Sequence, residues 1–134
     1  MPRQEKALLS QRDIALQRRR VILQVKLSNR GNTLIIGITG ELDHHCAEYI
    51  RHKVDGEITK ATTKNLIFDF SKLSFMDSSG IGVIMGRYKN IQKLNGKLAT
   101  VNVNAQIRRI LEMSGLLKII PVYDNVDSAI NNMM

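Results

Sequence analysis

The chain has 134 residues, 43% of them hydrophobic, and a single cysteine. That is enough apolar material for one compact domain, and it rules out an internal disulfide or a cysteine-rich metal cluster. No apolar run approaches the roughly 18 to 20 residues that cross a bilayer, and the N-terminus lacks the apolar centre of a secretory signal, so a cytoplasmic protein is expected. The net charge of +8 is uneven: residues 1–20 hold six Lys/Arg against two acids, and the rest of the chain holds fourteen against ten. No basic stripe interleaved with aromatics follows, so direct nucleic-acid binding is not expected.

Residues 1–20, "MPRQEKALLSQRDIALQRRR", read as a basic arm. Leu8, Leu9, Ile14 and Leu16 form no sustained helical pattern, and a flexible segment is expected. "VILQVKLS" (Val21 to Ser28) then alternates apolar and polar residues as a half-buried strand does, "NRGN" reads as a turn, and "TLIIGIT" as the partner strand of a hairpin. From "GELDHH" the period lengthens. Ala47, Ile50, Val54, Ile58 and Ala61 recur at three and four, predicting a helix that starts near Asp43 with Asp43 as its cap.

"NLIFDF" (Asn65 to Phe70) reads as a buried strand, and "SKLSFM" as the connection to "DSSG". Ile81, Ile84, Tyr88, Ile91 and Leu94 predict a long helix that Asn95 and Gly96 terminate. "KLATVNV" is the next strand, and "AQIRRILEMSG" a short helix with a glycine stop. "LLKIIPVY" reads as a last strand and "DNVDSAINNMM" as a last helix capped by Asp124 or Asn125. Strands alternating with helices after a hairpin imply an α/β domain with a mixed, largely parallel sheet and about four helices.

"DSSG" admits several chemistries. Asp77, Ser78 or Ser79 can cap the following helix, because each side chain accepts hydrogen bonds from the free N–H groups of a first turn. A catalytic serine would require the G-x-S-x-G elbow, but Met76 stands where the first glycine should be. Gly80, Gly82 and Gly86 miss the G-x-G-x-x-G spacing and no "GK[ST]" follows, so a nucleotide loop is poorly matched and close helix packing explains glycine as well. His44, Glu48 and His52 share a helix face at i, i+4 and i+8, yet no further metal ligand accompanies them. A serine at a helix start also suits a phosphate, since the free N–H groups and the helix dipole favour negative charge there.

The segments "GELDHH", "FMDSSGIGVIMGRYKNI" and "RILEMSGLLKII" together resemble the STAS-domain anti-sigma factor antagonists, most closely the sporulation type that antagonises the anti-sigma F factor. The resemblance runs from about Val21 to Ile130 and implies a STAS domain over 21–134. It also implies that the unphosphorylated protein binds a serine-kinase anti-sigma factor and frees a sigma factor. The kinase uses ATP to phosphorylate one serine, and a serine phosphatase resets it. Carried onto this chain, the phosphoacceptor is Ser78, a choice over Ser79 that rests on the resemblance, with Ser79 as cap or packing residue. Asp43, His44, Asp77, Ser79, Gly80, Ile81, Gly82 and Met85 are the implied partner-binding residues. No enzyme activity, cofactor or metal is implied, and a monomer is expected. The alternatives are a STAS module of a stress-response or other partner-switching pathway and, from another class, a nucleotide-binding protein. The segment 1–20 has no counterpart in the family pattern.

Overall fold

A computed structural model describes residues 23–60 and 62–133. The basic segment 1–20, Val21 of the expected first strand, Ala61 of the expected first helix and Met134 lie outside the described residues. Strands β1 (Gln24–Arg30) and β2 (Thr33–Leu42) form the expected antiparallel hairpin, with Arg30 opposite Thr33. The turn is therefore only Gly31 and Asn32, shorter than "NRGN". Gly31 takes φ +62°, where a side chain would be strained.

Helix α1 (Ala47–Ile58) begins later than expected. Asp43 closes the preceding turn instead of capping the helix: its Oδ1 accepts from the His45 N–H at 3.0 Å, and its carbonyl accepts from Ala47 N at 3.0 Å. Two residues after Asp43 is the reach of a local Asx turn, which competes with a helix cap for the same carboxylate. Cys46 is the flanking residue, with no side-chain cap.

Strand β3 (Asn65–Asp69) is where expected, but "SKLSFM" contains a further strand, β4 (Leu73–Met76). Its pattern is buried, exposed, exposed, buried, so it carries no two-residue period. It pairs in parallel with the last residues of β2, where the register shifts between Gly40 and Glu41. Gly40, at φ +109°, is the residue that lets β2 turn from β3 toward β4.

Helix α2 (Ser78–Lys93) ends one residue before Leu94, which is exposed. Asn95 adopts φ +59°, its N–H donates to Gln92 O at 2.9 Å, and the Gly96 N–H donates to Ile91 O at 2.9 Å. This is a Schellman ending built by the expected Asn-Gly pair, with asparagine in the left-handed position. After β5 (Leu98–Val101), α3 (Ala105–Met113) is capped by Asn104, whose Oδ1 accepts from Ile107 N at 2.8 Å.

The expected strand "LLKIIPVY" is mostly not a strand. Leu116–Lys118 forms a 3-10 turn, and only β6 (Val122–Tyr123) joins the sheet. Gly115 at φ +83° turns the chain, and Ile120 N donates to Leu116 O at 2.8 Å. Leu116 and Ile120 are thus buried at helical spacing. Pro121 has no N–H to give a ladder, which delays the strand further. Helix α4 (Val126–Met133) is capped by Asn125, whose Oδ1 accepts from Ser128 N at 2.8 Å.

The sheet order is β1-β2-β3-β5-β6, with β4 beside the end of β2; β1 is antiparallel and the other pairings are parallel. Alternate residues of the central strands serve opposite faces. Leu34, Ile36, Leu66 and Phe68 pack with Ile50, Ile84 and Leu111 of the first three helices, whereas Ile67, Ala99 and Val101 pack with Ala129 and Met133 of α4. Between α1 and α2, the buried Arg87 places Nε 2.9 Å from Asp55 Oδ1. The N–H does not align on that oxygen, so the contact is an ion pair and not a formed hydrogen bond. Burial pulls the Arg87 pKa down, Asp55 opposes that, and nearby Arg51 adds to it.

Candidate functional site

The end of β4 delivers Asp77 to the start of α2, and both carboxylate oxygens are engaged. Oδ1 accepts from the Ser79 N–H at 2.8 Å, while Oδ2 accepts from the His44 N–H at 3.3 Å and lies 3.8 Å from His44 Nδ1. The Asp77 carbonyl accepts from Gly80 N at 3.0 Å and Ile81 N at 3.4 Å. Asp77 is therefore the helix cap, and Ser79, expected in that role, supplies the N–H that is capped. One carboxylate ties the loop after β2 to the loop after β4, bringing Asp43 and His44 beside Ser78 in the fold. Replacing Asp77 by alanine removes the cap and the inter-loop bond, and is expected to cost about 1–2 kcal/mol in urea unfolding. Asp77→Asn keeps one acceptor oxygen and sets an NH2 donor in place of the other, so it can hold the cap or the His44 N–H but not both, and should recover only the cap's share of that loss.

Ser78 is the first residue of α2, exposed, and its Oγ makes no hydrogen bond among the described residues. Ser79, Asp43 and Asp77 are half-buried, and His44 is exposed, its ring centroid 3.9 Å from that of His45 with the two planes tilted by 38°. Gly82 is exposed on the same side of the helix as Ser78, at the i+4 spacing. Ile81 and Met85 are half-buried and packed on the core, so they offer only part of their surface. Gly80, expected to join the partner-facing surface, is buried. A Cβ there would come 2.5 Å from Met76 Cγ and 2.9 Å from Leu42 Cγ. Close packing thus accounts for Gly80, but not for Gly82 and Gly86, whose added Cβ atoms would meet nothing within 4 Å.

The metal reading of the histidines loses its geometry because His44 lies before α1 and turns toward Asp77, while His52 Nε2 sits 3.6 Å from Glu48 Oε1. Among the described residues no group of three His, Cys, Asp or Glu side chains could hold a metal ion. Sequence reasoning missed Phe75, which is 38% exposed on β4, two residues before Asp77. An aromatic left in water beside "DSSG" becomes visible only once "SKLSFM" is recognised as a strand.

Cys46 is fully buried, with Sγ 3.0 Å from the Glu41 carbonyl, and burial pushes its pKa up to about 11. The neutral thiol is the form that fits. Its contribution to stability is present below the unfolded-state pKa near 9 and declines as pH rises from there toward 11. In native protein at pH 8, Cys46 should resist a thiol-specific reagent and react fully only in denaturant; rapid native labelling would contradict the burial.

No helix among the described residues is long and apolar enough to cross a membrane. The STAS domain family model matches residues 24–129. The anti-sigma F factor antagonist of Paenibacillus polymyxa is 40% identical over 111 residues, covering 83% of this chain and 95% of that protein. Among solved structures, the anti-sigma factor antagonist SpoIIAA in its unphosphorylated form is 32% identical, with a TM-score of 0.70 over 83% of this chain and 95% of that one. The phosphorylated form of the Bacillus cell fate determinant SpoIIAA is 32% identical, with a TM-score of 0.64 over 84% and 100%. The chain belongs to the STAS-domain family, among its anti-sigma factor antagonists.

Proposed function

We propose that this protein is a phosphorylation-controlled partner switch. Unphosphorylated, it binds a serine-kinase anti-sigma factor and releases the sigma factor. The kinase uses ATP to phosphorylate Ser78, which ends binding, and a serine phosphatase restores it. The protein acts in the cytoplasm as a monomer and has no enzymatic role of its own. The observation that carries this reading is the hydroxyl of Ser78, exposed and unbonded at the first position of α2, while its neighbour Ser79 is half-buried with its N–H held by Asp77. Similarity to SpoIIAA, which has both unphosphorylated and phosphorylated structures, supports the same switch.

The helix start accommodates a phosphate without refolding, because its dipole favours negative charge by about 0.3 to 1 kcal/mol at exposed positions. The partner meets a different surface. Asp43, His44, Asp77, Ser79, Gly82 and the exposed parts of Ile81 and Met85 frame Ser78, and a phosphoserine adds roughly −1.5 to −2 charges beside the Asp77 carboxylate.

The test is intact mass after incubation with ATP and the anti-sigma kinase of the same organism. Wild type and Ser79→Ala should each gain one phosphoryl group, and Ser78→Ala none. Phosphorylation of Ser78→Ala would move the site, and an active kinase that leaves wild type unmodified would remove the proposed switch.

A further inference from the structure

The end of the sheet opposite Ser78 holds a concave feature. Strand β2 is ten residues long, so its start at Thr33 lies about 30 Å from its end beside Met76 and Asp77, at about 3.3 Å per residue. At that far end, the β1–β2 turn, the entry to β3, the exit of α2 and the last turn of α4 line an open cavity of about 540 Å³. Arg30, Lys64 and Lys97 contribute charge to its lining, Asn95 contributes polarity, and Ile130 and Met133 an apolar wall; no Asp or Glu lines it.

Two features distinguish this cluster from scattered surface lysines. The backbone segments that carry the cations are fastened to one another: Lys64 N and Asn65 N donate to Asn32 O at 2.8 and 3.1 Å, and Lys97 N donates to Asn65 Oδ1 at 2.8 Å. The charges are also poorly compensated. Arg30 Nη1 has Asp127 Oδ1 at 2.7 Å, but the ammonium groups of Lys64 and Lys97 have no carboxylate partner among the described residues. Three cations around one opening with a single carboxylate beside them leave a net positive potential there, which favours an anion seated among them. The volume falls within the roughly 300–1,000 Å³ of small-molecule sites, and the apolar wall suits a ligand that is more than a bare ion.

We propose that this cavity binds a small organic anion with at least two negative charges on an apolar or aromatic body, its charged end toward Lys64 and Lys97 and its body against Ile130 and Met133. Arg30 would exchange part of its contact with Asp127 for the ligand.

Phenyl phosphate is a suitable probe, titrated into the full-length protein and followed by backbone amide NMR, with inorganic phosphate and phenol as comparators. Saturable shifts are expected at Lys64, Asn65, Lys97 and Met133. Inorganic phosphate and phenol should each bind at least about tenfold more weakly, because each supplies only half of the recognition. The doubly substituted Lys64→Gln, Lys97→Gln protein should bind phenyl phosphate about tenfold more weakly or worse, whereas Ser78→Ala should bind it unchanged. Both lysines are exposed, so an otherwise unaltered spectrum confirms that the double variant folds. Absence of saturable shifts at millimolar phenyl phosphate, equal affinity for inorganic phosphate, or shifts confined to the start of α2 would each overturn the proposal.

Discussion

Replacing Gly96 by alanine is expected to destabilise the fold by about 3 kcal/mol, the upper range for overpacking at a site that cannot yield. A Cβ at this position would run into the carbonyl oxygen of Lys64 and come 2.8 Å from Ile91 Cγ2. Neither backbone is free to withdraw. Lys64 N is bonded to Asn32 O at 2.8 Å, Leu66 N to Lys97 O at 2.9 Å, and the Gly96 N–H itself completes the ending of α2 on Ile91 O at 2.9 Å. Urea unfolding reads the loss as a lower midpoint with little change in slope. Gly82→Ala and Gly86→Ala, within the helix that Gly96 follows, are the controls. Their added methyl groups meet nothing within 4 Å, and each should gain about 0.5–1 kcal/mol from helix propensity. A Gly96→Ala protein within about 1 kcal/mol of wild type would mean that the crossing is looser than the structure has it.

Phosphorylation of Ser78 should lower affinity for the anti-sigma kinase by about 100-fold or more while leaving thermal stability nearly unchanged. Like charges brought together at an interface cost several kcal/mol, and about 2.8 kcal/mol already corresponds to a factor of 100. The fold itself does not share that penalty, because the phosphate sits where the helix dipole favours it. Calorimetric titration of phosphorylated, unmodified and Ser78→Ala protein into the kinase separates the two effects. Ser78→Ala should bind like unmodified protein, and Ser78→Asp should lie between, because one carboxylate carries less charge than a phosphate. If the phosphorylated form binds as tightly as the unmodified one, Ser78 is not the switch. If it binds weakly but has also lost several degrees of thermal stability, the effect is on folding and not on the surface. Gly82→Ala adds an independent reading: a variant that gains stability yet loses kinase affinity would show that the glycine is kept for close approach of the partner.

The local chemistry of the chain was readable without a structure. Alternation in "VKLS", followed by a turn and the apolar "TLIIGIT", determined the hairpin, the three-four spacing of Ile81, Ile84, Tyr88 and Ile91 determined α2, and Asn95-Gly96 determined its end. These signals depend on neighbours a few residues away, through strand pleat, helix period and backbone freedom. That a helix starts within "DSSG" was legible for the same reason, because capping residues announce themselves beside the helix they serve, although which of Asp77, Ser78 and Ser79 caps it was not.

What only the tertiary structure decided are the features whose cause lies far along the chain. Strand β4 exists because β2 bends at Gly40 and offers it an edge, so its burial follows that neighbour and not a two-residue period. "LLKIIPVY" has the composition of a strand, but Gly115 and Pro121 shorten it, and Leu116 and Ile120 reach the core as a helical pair. Asp43 and Asp77 both looked like caps. Packing of the loop after β2 against the loop after β4 gave Asp43 a local turn and left Asp77 holding both the helix and His44. Glycine is equally permissive at Gly80, Gly82 and Gly96 in the sequence; only the approach of Met76 and Leu42 to the first, of Lys64 to the last, and of nothing to Gly82 separates packing from exposed surface.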